Sequence, residues 1–129
     1  MKIRSTLALA SLASACAFAA VAAPADYAFE AVEAEVKQNA KAELAVRLVH
    51  KPTGKRVENA VVFRSRLDMS PDNMAEHQTS VELLPATDPG VYRFKADLSM
   101  AGRWALKLMA KVPGETETVE GTIVIEAKD

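Results

Sequence analysis

The feature that most constrains this chain is a two-residue alternation of apolar and polar side chains, returning in short runs between turns. Residues 42–50 set Leu44, Val46 and Leu48 on one phase, with Glu43, Arg47 and the following Lys51 on the other. Residues 91–98 set Tyr92, Phe94, Ala96 and Leu98 against Arg93, Lys95 and Asp97. Trp104, Leu106, Leu108 and Val112 share a face in 103–112, as do Val119, Ile123 and Ile125 in 118–126. In 60–69 the same rule assigns Val61, Phe63, Leu67 and Met69 to one face and Val62, Arg64, Arg66 and Asp68 to the other. A period of two is the mark of half-buried strands. Residues 79–84 read as a further short strand, and 27–36 as a first strand for which helix competes, because Ala and Glu dominate it. Turns carrying Pro or Gly fall at 51–55, 85–90, 100–102 and 113–115. About seven short strands, each with one apolar face, predict two sheets packed face to face. The fold expected is all-β, an immunoglobulin-like antiparallel β-sandwich with Trp104 as a central anchor and Tyr92 in the core.

The first 22 residues stand apart from this pattern. Lys2 and Arg4 precede an apolar run over 7–21, and Ala20-Val21-Ala22 ends it in an A-x-A cleavage signature. Cutting after Ala22 keeps Pro24 away from the scissile bond. The run is shorter than the roughly 20 apolar residues of a membrane span, so 1–22 is expected to be a cleavable signal peptide and 23–129 a single periplasmic domain, not inserted in the membrane. Cys16, the one cysteine, lies inside this leader. A lipoprotein acceptor is the competing reading, but Phe18-Ala19-Ala20-Val21 and a good cleavage site follow it. Ordinary cleavage leaves no disulfide, thiolate metal site or cysteine nucleophile. The whole chain carries a formal charge of -1, so loss of Lys2 and Arg4 leaves it near -3. With no basic block, nucleic acid is not an expected partner.

Catalytic signatures are missing: no phosphate-cradling glycine loop, HExxH or paired-cysteine spacing occurs, and the two histidines are His50 and His77. The chain is therefore read as a binding protein and not an enzyme. The segment without a period, 70–78, sits in a Met-x4-Met-x2-His arrangement of Met69, Met74 and His77, and Met100 lies at the break before the Trp104 strand. Neutral thioethers favour soft Cu(I) or Ag(I), and imidazole can complete such a site. Thioethers need no deprotonation and survive an oxidising compartment. The competing reading makes Met69 and Met74 adaptable apolar filler, with Met69 continuing the inward phase of its strand. Met109 falls on an outward phase, and neither it nor His50 is given a role. Arg64 and Arg66 are expected to form a solvated, salt-bridged surface.

Several elements together resemble the FixH/YtkA-like family of exported or membrane-tethered sandwich domains. They are Gly54-Lys55 with Asn59-Ala60-Val61-Val62, the Met69–Met74–His77 loop, Pro89-Gly90-Val91-Tyr92-Arg93-Phe94, and Met100-Ala101-Gly102-Arg103-Trp104. The resemblance covers about 36–125. It implies copper handling or heavy-metal efflux of the resistance-nodulation-division type, and for FixH proteins a link to cytochrome oxidase assembly. Carried over, it implies a ligand loop of Met69, Met74 and His77 with Met100 as a further ligand. The expected function is Cu(I)/Ag(I) buffering or delivery to an efflux pump or other copper-handling membrane complex. The alternative is a metal-free adaptor of such a complex. The cleavable leader departs from the permanent N-terminal helix of FixH itself and favours a free periplasmic binder.

Overall fold

The alternating runs become ten strands in two sheets of a computed structural model that describes residues 24–129; the leader, its cleavage site and Cys16 lie outside the described residues. In chain order the strands are β1 (Tyr27–Ala31), β2 (Glu35–Lys37), β3 (Asn39–His50), β4 (Lys55–Arg56) and β5 (Val61–Met69). There follow β6 (Met74–Thr79), β7 (Val81–Leu84), β8 (Val91–Leu98), β9 (Gly102–Lys111) and β10 (Val119–Lys128). The first sheet runs β1-β3-β8-β7, with β4 added to the end of β3; the second runs β2-β10-β9-β5-β6. All pairs are antiparallel except β2 with β10, which is parallel. The result is the expected all-β sandwich.

Its core is made where alternation is cleanest. Leu44, Val46 and Leu48 of β3 and Phe94, Ala96 and Leu98 of β8 meet Leu106, Leu108, Val119 and Ile125 of the second sheet. Trp104 is buried among them, as expected. Burying a large aliphatic or aromatic side chain stabilises the fold by roughly 1.5–3 kcal/mol. At one side Phe29 of β1 closes the gap between sheets: a methyl on Gly121 of β10 would come within 2.6 Å of its ring. Tyr92, also buried, does more than fill space. Its hydroxyl donates to the Val57 carbonyl at 2.8 Å and accepts the Ala60 N–H at 3.0 Å, fastening the loop that carries the chain from β4 to β5.

Three expectations are corrected. Residues 27–36 are not one element: the chain leaves the first sheet after Ala31 and joins the second at Glu35. Residues 79–84 likewise divide at Ser80, with β6 in one sheet and β7 in the other, so the segment 70–78 contains an edge strand. The phase of β5 is also wrong over its first half. The ladder with β9 shifts between Val62 and Arg64, a β-bulge at Phe63. One extra residue inverts the faces on either side of it. Val62 is therefore buried, whereas Val61 and Phe63 are 61% and 51% exposed. Beyond the bulge Leu67 and Met69 return to the core as expected.

Candidate metal centre at the Met69–Met74 turn

The turn between β5 and β6 is built by short-range polar chemistry. Ser70–Asp72 forms one turn of 3-10 helix with Pro71 in it, and Asn73 follows in the left-handed region (φ 59°). Asparagine tolerates that region better than most residues, and its N–H closes the turn on the Ser70 carbonyl at 3.0 Å. Asp68 supports the turn from the strand side by accepting the Ser70 N–H at 3.0 Å. The geometry leaves Met69 and Met74 directly opposite one another as the last β5–β6 pair. Met69 is entirely buried, and Met74 is partly buried against the core.

A second loop is bolted to this turn. Asp72 accepts the Arg103 backbone N–H at 2.8 Å and its Nε at 2.7 Å, while Arg103 Nη2 donates to the Pro71 carbonyl at 2.8 Å. The backbone N–H and the guanidinium hold the Asp72 carboxyl below its ordinary pKa. Gly102 makes the close approach possible: its φ is 139°, and a methyl there would come within 2.5 Å of Met69 Cε and 2.8 Å of Asp72 Oδ2. Two residues earlier, Met100 accepts the Trp104 indole N–H at its carbonyl oxygen (3.1 Å), and its side chain is left 46% exposed.

Of the four candidate ligands, the fold thus gathers Met69, Met74 and the loop bearing Met100 at one end of the sandwich. His77 is held differently. It lies in the stretch 75–77, which interrupts the ladder between the pairs Met69–Met74 and Asp68–Gln78, and is exposed on the edge strand. Its Nε2 is 3.9 Å from Glu76 Oε1. His50 is used locally, with Nδ1 2.8 Å from Thr53 Oγ1 and its ring tilted against Tyr27 at 5.2 Å. Among the described residues no three or more His, Cys, Asp or Glu side chains converge in a way that would hold a metal ion. Met69 and Met74 are the sulfur-bearing side chains of this turn, beside the Asp72 carboxylate.

Sequence reading missed Asp72 and Arg103, whose pairing depends on which loops the fold brings together. It also missed Asp68. Assigned to the polar face, Asp68 does point away from the core, yet it is completely covered. Lys107 Nζ lies 3.0 Å and Arg66 Nε 3.5 Å from its Oδ2. Burial alone would raise its pKa, but the hydrogen bonds from Ser70 and Lys107, with the lysine's charge, outweigh that and hold it below the usual value.

Comparison with known proteins gives a family. A family model described as YtkA-like matches residues 22–109. No curated protein sequence matches the chain. Among solved structures, the ZirS C-terminal domain is similar with a TM-score of 0.45 and 9% identity, over 100% of this chain and 84% of that one.

Proposed function

The chain belongs to the YtkA-like family, and from that premise we propose that it is an exported binding protein for Cu(I) or Ag(I). It would buffer the ion in the periplasm or pass it to a heavy-metal efflux system. The observation that carries the reading is the pairing of Met69 with Met74 against Gly102, which brings the Met100 loop to the same end of the sandwich. Thioethers suit a soft monovalent ion and need no proton released to bind it. Capture begins at exposed Met100 and half-buried Met74; Met69 completes the sulfur set from behind, and His77 contributes its imidazole from the edge strand. A site entered one ligand at a time can be emptied the same way into a methionine-rich partner. The family match also begins at residue 22, where the expected leader ends.

Competition for Cu(I) against a chromophoric chelator under reducing conditions tests this. Wild type is expected to bind tighter than about micromolar. The double variant Met74→Leu/Met100→Leu, which keeps apolar bulk, should weaken binding on the order of 100-fold, about 2.7 kcal/mol. His77→Ala should weaken it less. Unchanged binding in the double variant, or none tighter than micromolar in wild type, would overturn the proposal. A second reading, a metal-free adaptor of a membrane complex, draws on the complete burial of Met69, which suits methionine as core filler. Under that reading none of these substitutions changes chelator competition.

A further inference from the structure

The outward face of the second sheet carries a feature that the methionine turn does not use. Register places Arg64, Met109 and Glu120 in one cross-strand row of β5, β9 and β10, and Arg66, Lys107 and Thr122 in the next. These six side chains line a groove of about 250 Å³ on the solvent side of the sheet. Three of them are cations and one is an anion, on a chain whose overall charge is negative. Arg66 and Lys107 both rest on buried Asp68, whose other oxygen is taken by the Ser70 N–H. One carboxylate cannot neutralise two cations; it anchors them and leaves positive charge at the surface. Among the described residues no ion pair or hydrogen bond holds the Arg64 side chain, which is exposed.

Apolar surface adjoins this charge. The bulge at Phe63 turns that residue and Val61 out to solvent immediately before Arg64, and Met109 is half-buried in the groove floor. Charge held in position beside exposed apolar side chains is the combination that recognises a segment of opposite charge with an apolar anchor.

We infer that this face docks an acidic segment of a partner protein, whose carboxylates meet Arg64, Arg66 and Lys107 and whose apolar side chain packs on Phe63 and Met109. Positive charge against the negative background of the chain also steers the encounter to this face, an effect that fades with salt.

The test uses the signal-free chain labelled with ¹⁵N and titrated with a synthetic peptide alternating Glu and Phe, with a Lys/Phe peptide as control. Amide shift changes are expected within 61–66, 105–111 and 120–124, weakening severalfold between roughly 50 and 300 mM salt. Arg64→Glu should reduce affinity about tenfold or more, and Phe63→Ser should reduce it at all salt concentrations. Both positions are exposed, so both variants should fold. Chelator competition for Cu(I) by Arg64→Glu should match wild type, which separates this face from the methionine turn. Equal binding of the Lys/Phe peptide, shifts centred on 69–74, or indifference to Arg64→Glu would overturn the inference. So would tight, Arg64-dependent binding to phosphatidylglycerol vesicles without binding to the acidic peptide, since a membrane surface would then be the partner.

Discussion

Gly102 is the residue at which backbone geometry and the methionine cluster meet. Its φ of 139° lies where a Cβ is strained, and the space a Cβ would need is already held by Met69 Cε and Asp72 Oδ2. The two penalties are separable because they have different origins, one in the backbone and one in the side chain at position 69. Gly102→Ala should cost about 2–4 kcal/mol, the sum of strain and overpacking, read as a lowered urea midpoint. Met69→Ala alone should cost about 2–5 kcal/mol as a buried large-to-small change. The double variant should be more stable than the two losses predict, by about 1 kcal/mol, because removing the thioether relieves the crowding from Met69 but leaves the backbone strain and the contact with Asp72 Oδ2. Strict additivity would mean that Met69 and Gly102 do not share this space in solution. The glycine of the Met-x-Gly-x-Trp element therefore has a physical cause: no other residue lets the 100–103 loop lie against both Met69 and Asp72.

At the level of elements, β5 marks where pattern reading succeeds and where it stops. On β3, β8, β9 and β10 the alternation translated into burial of the apolar phase, because the β9–β10 ladder is unbroken and the β3–β8 ladder is regular from Ala42 onward. On β5 an inserted residue reversed the phase, and Phe63, apolar and correctly spaced, carried no sign of being the insertion. Phe63→Ala should thus change stability by less than about 0.5 kcal/mol, as exposed surface substitutions do, while Leu67→Ala in the same strand should cost about 2–5 kcal/mol. Urea denaturation of the two variants checks the bulge directly; comparable losses would restore Phe63 to the core. Edge strand β6 escaped notice for another reason. Ala75, Glu76, His77 and Gln78 are all exposed, so no alternation exists to be read. Nor does alternation say which sheet a strand joins, which is why the crossings at 32–34 and at Ser80 were not foreseen. The candidate residues Met69, Met74, His77 and Met100 were legible as residue types. The Asp72–Arg103 bolt that ties the Met69–Met74 turn to the 100–103 loop spans 31 positions and exists only once the sheets are packed.

Across the whole molecule, carboxylates with lowered pKa recur at the joints between elements. Asp68 links the turn after β5 to the cations of the outer face, Asp72 joins that turn to the start of β9, and Asp97 holds Ser99 in the connection from β8 to β9. All three are held below the ordinary carboxylate value: Asp97 by Ser99, Asp72 by Arg103, and Asp68 by Ser70 and Lys107 against the opposing effect of burial. The sign of the linkage follows. The unfolded chain, with aspartates near pKa ~3.9, binds protons before the folded chain does, so stability rises with pH wherever the unfolded state holds more of them. The contribution is complete above about pH 5 and is lost as pH falls below ~4 through the lowered folded values. The urea midpoint should accordingly change little between pH 7 and about 5 and then drop steeply. Asp68→Asn should be less stable at neutral pH, because Arg66 and Lys107 lose their common anion, and should show a shallower drop in acid. Lys107→Met should act in the same direction, through the aspartate itself. Without the ammonium at 3.0 Å, burial acts on Asp68 with less opposition and its folded-state pKa rises toward the unfolded value, so stability at neutral pH falls and the drop in acid becomes shallower. Direct titration of the Asp68 side-chain carboxyl by NMR in wild type and Lys107→Met gives the same comparison one group at a time. If both proteins titrate alike and Asp68→Asn keeps the full acid slope, the buried carboxylate is not a source of the pH dependence, and Arg66 and Lys107 are not held by it.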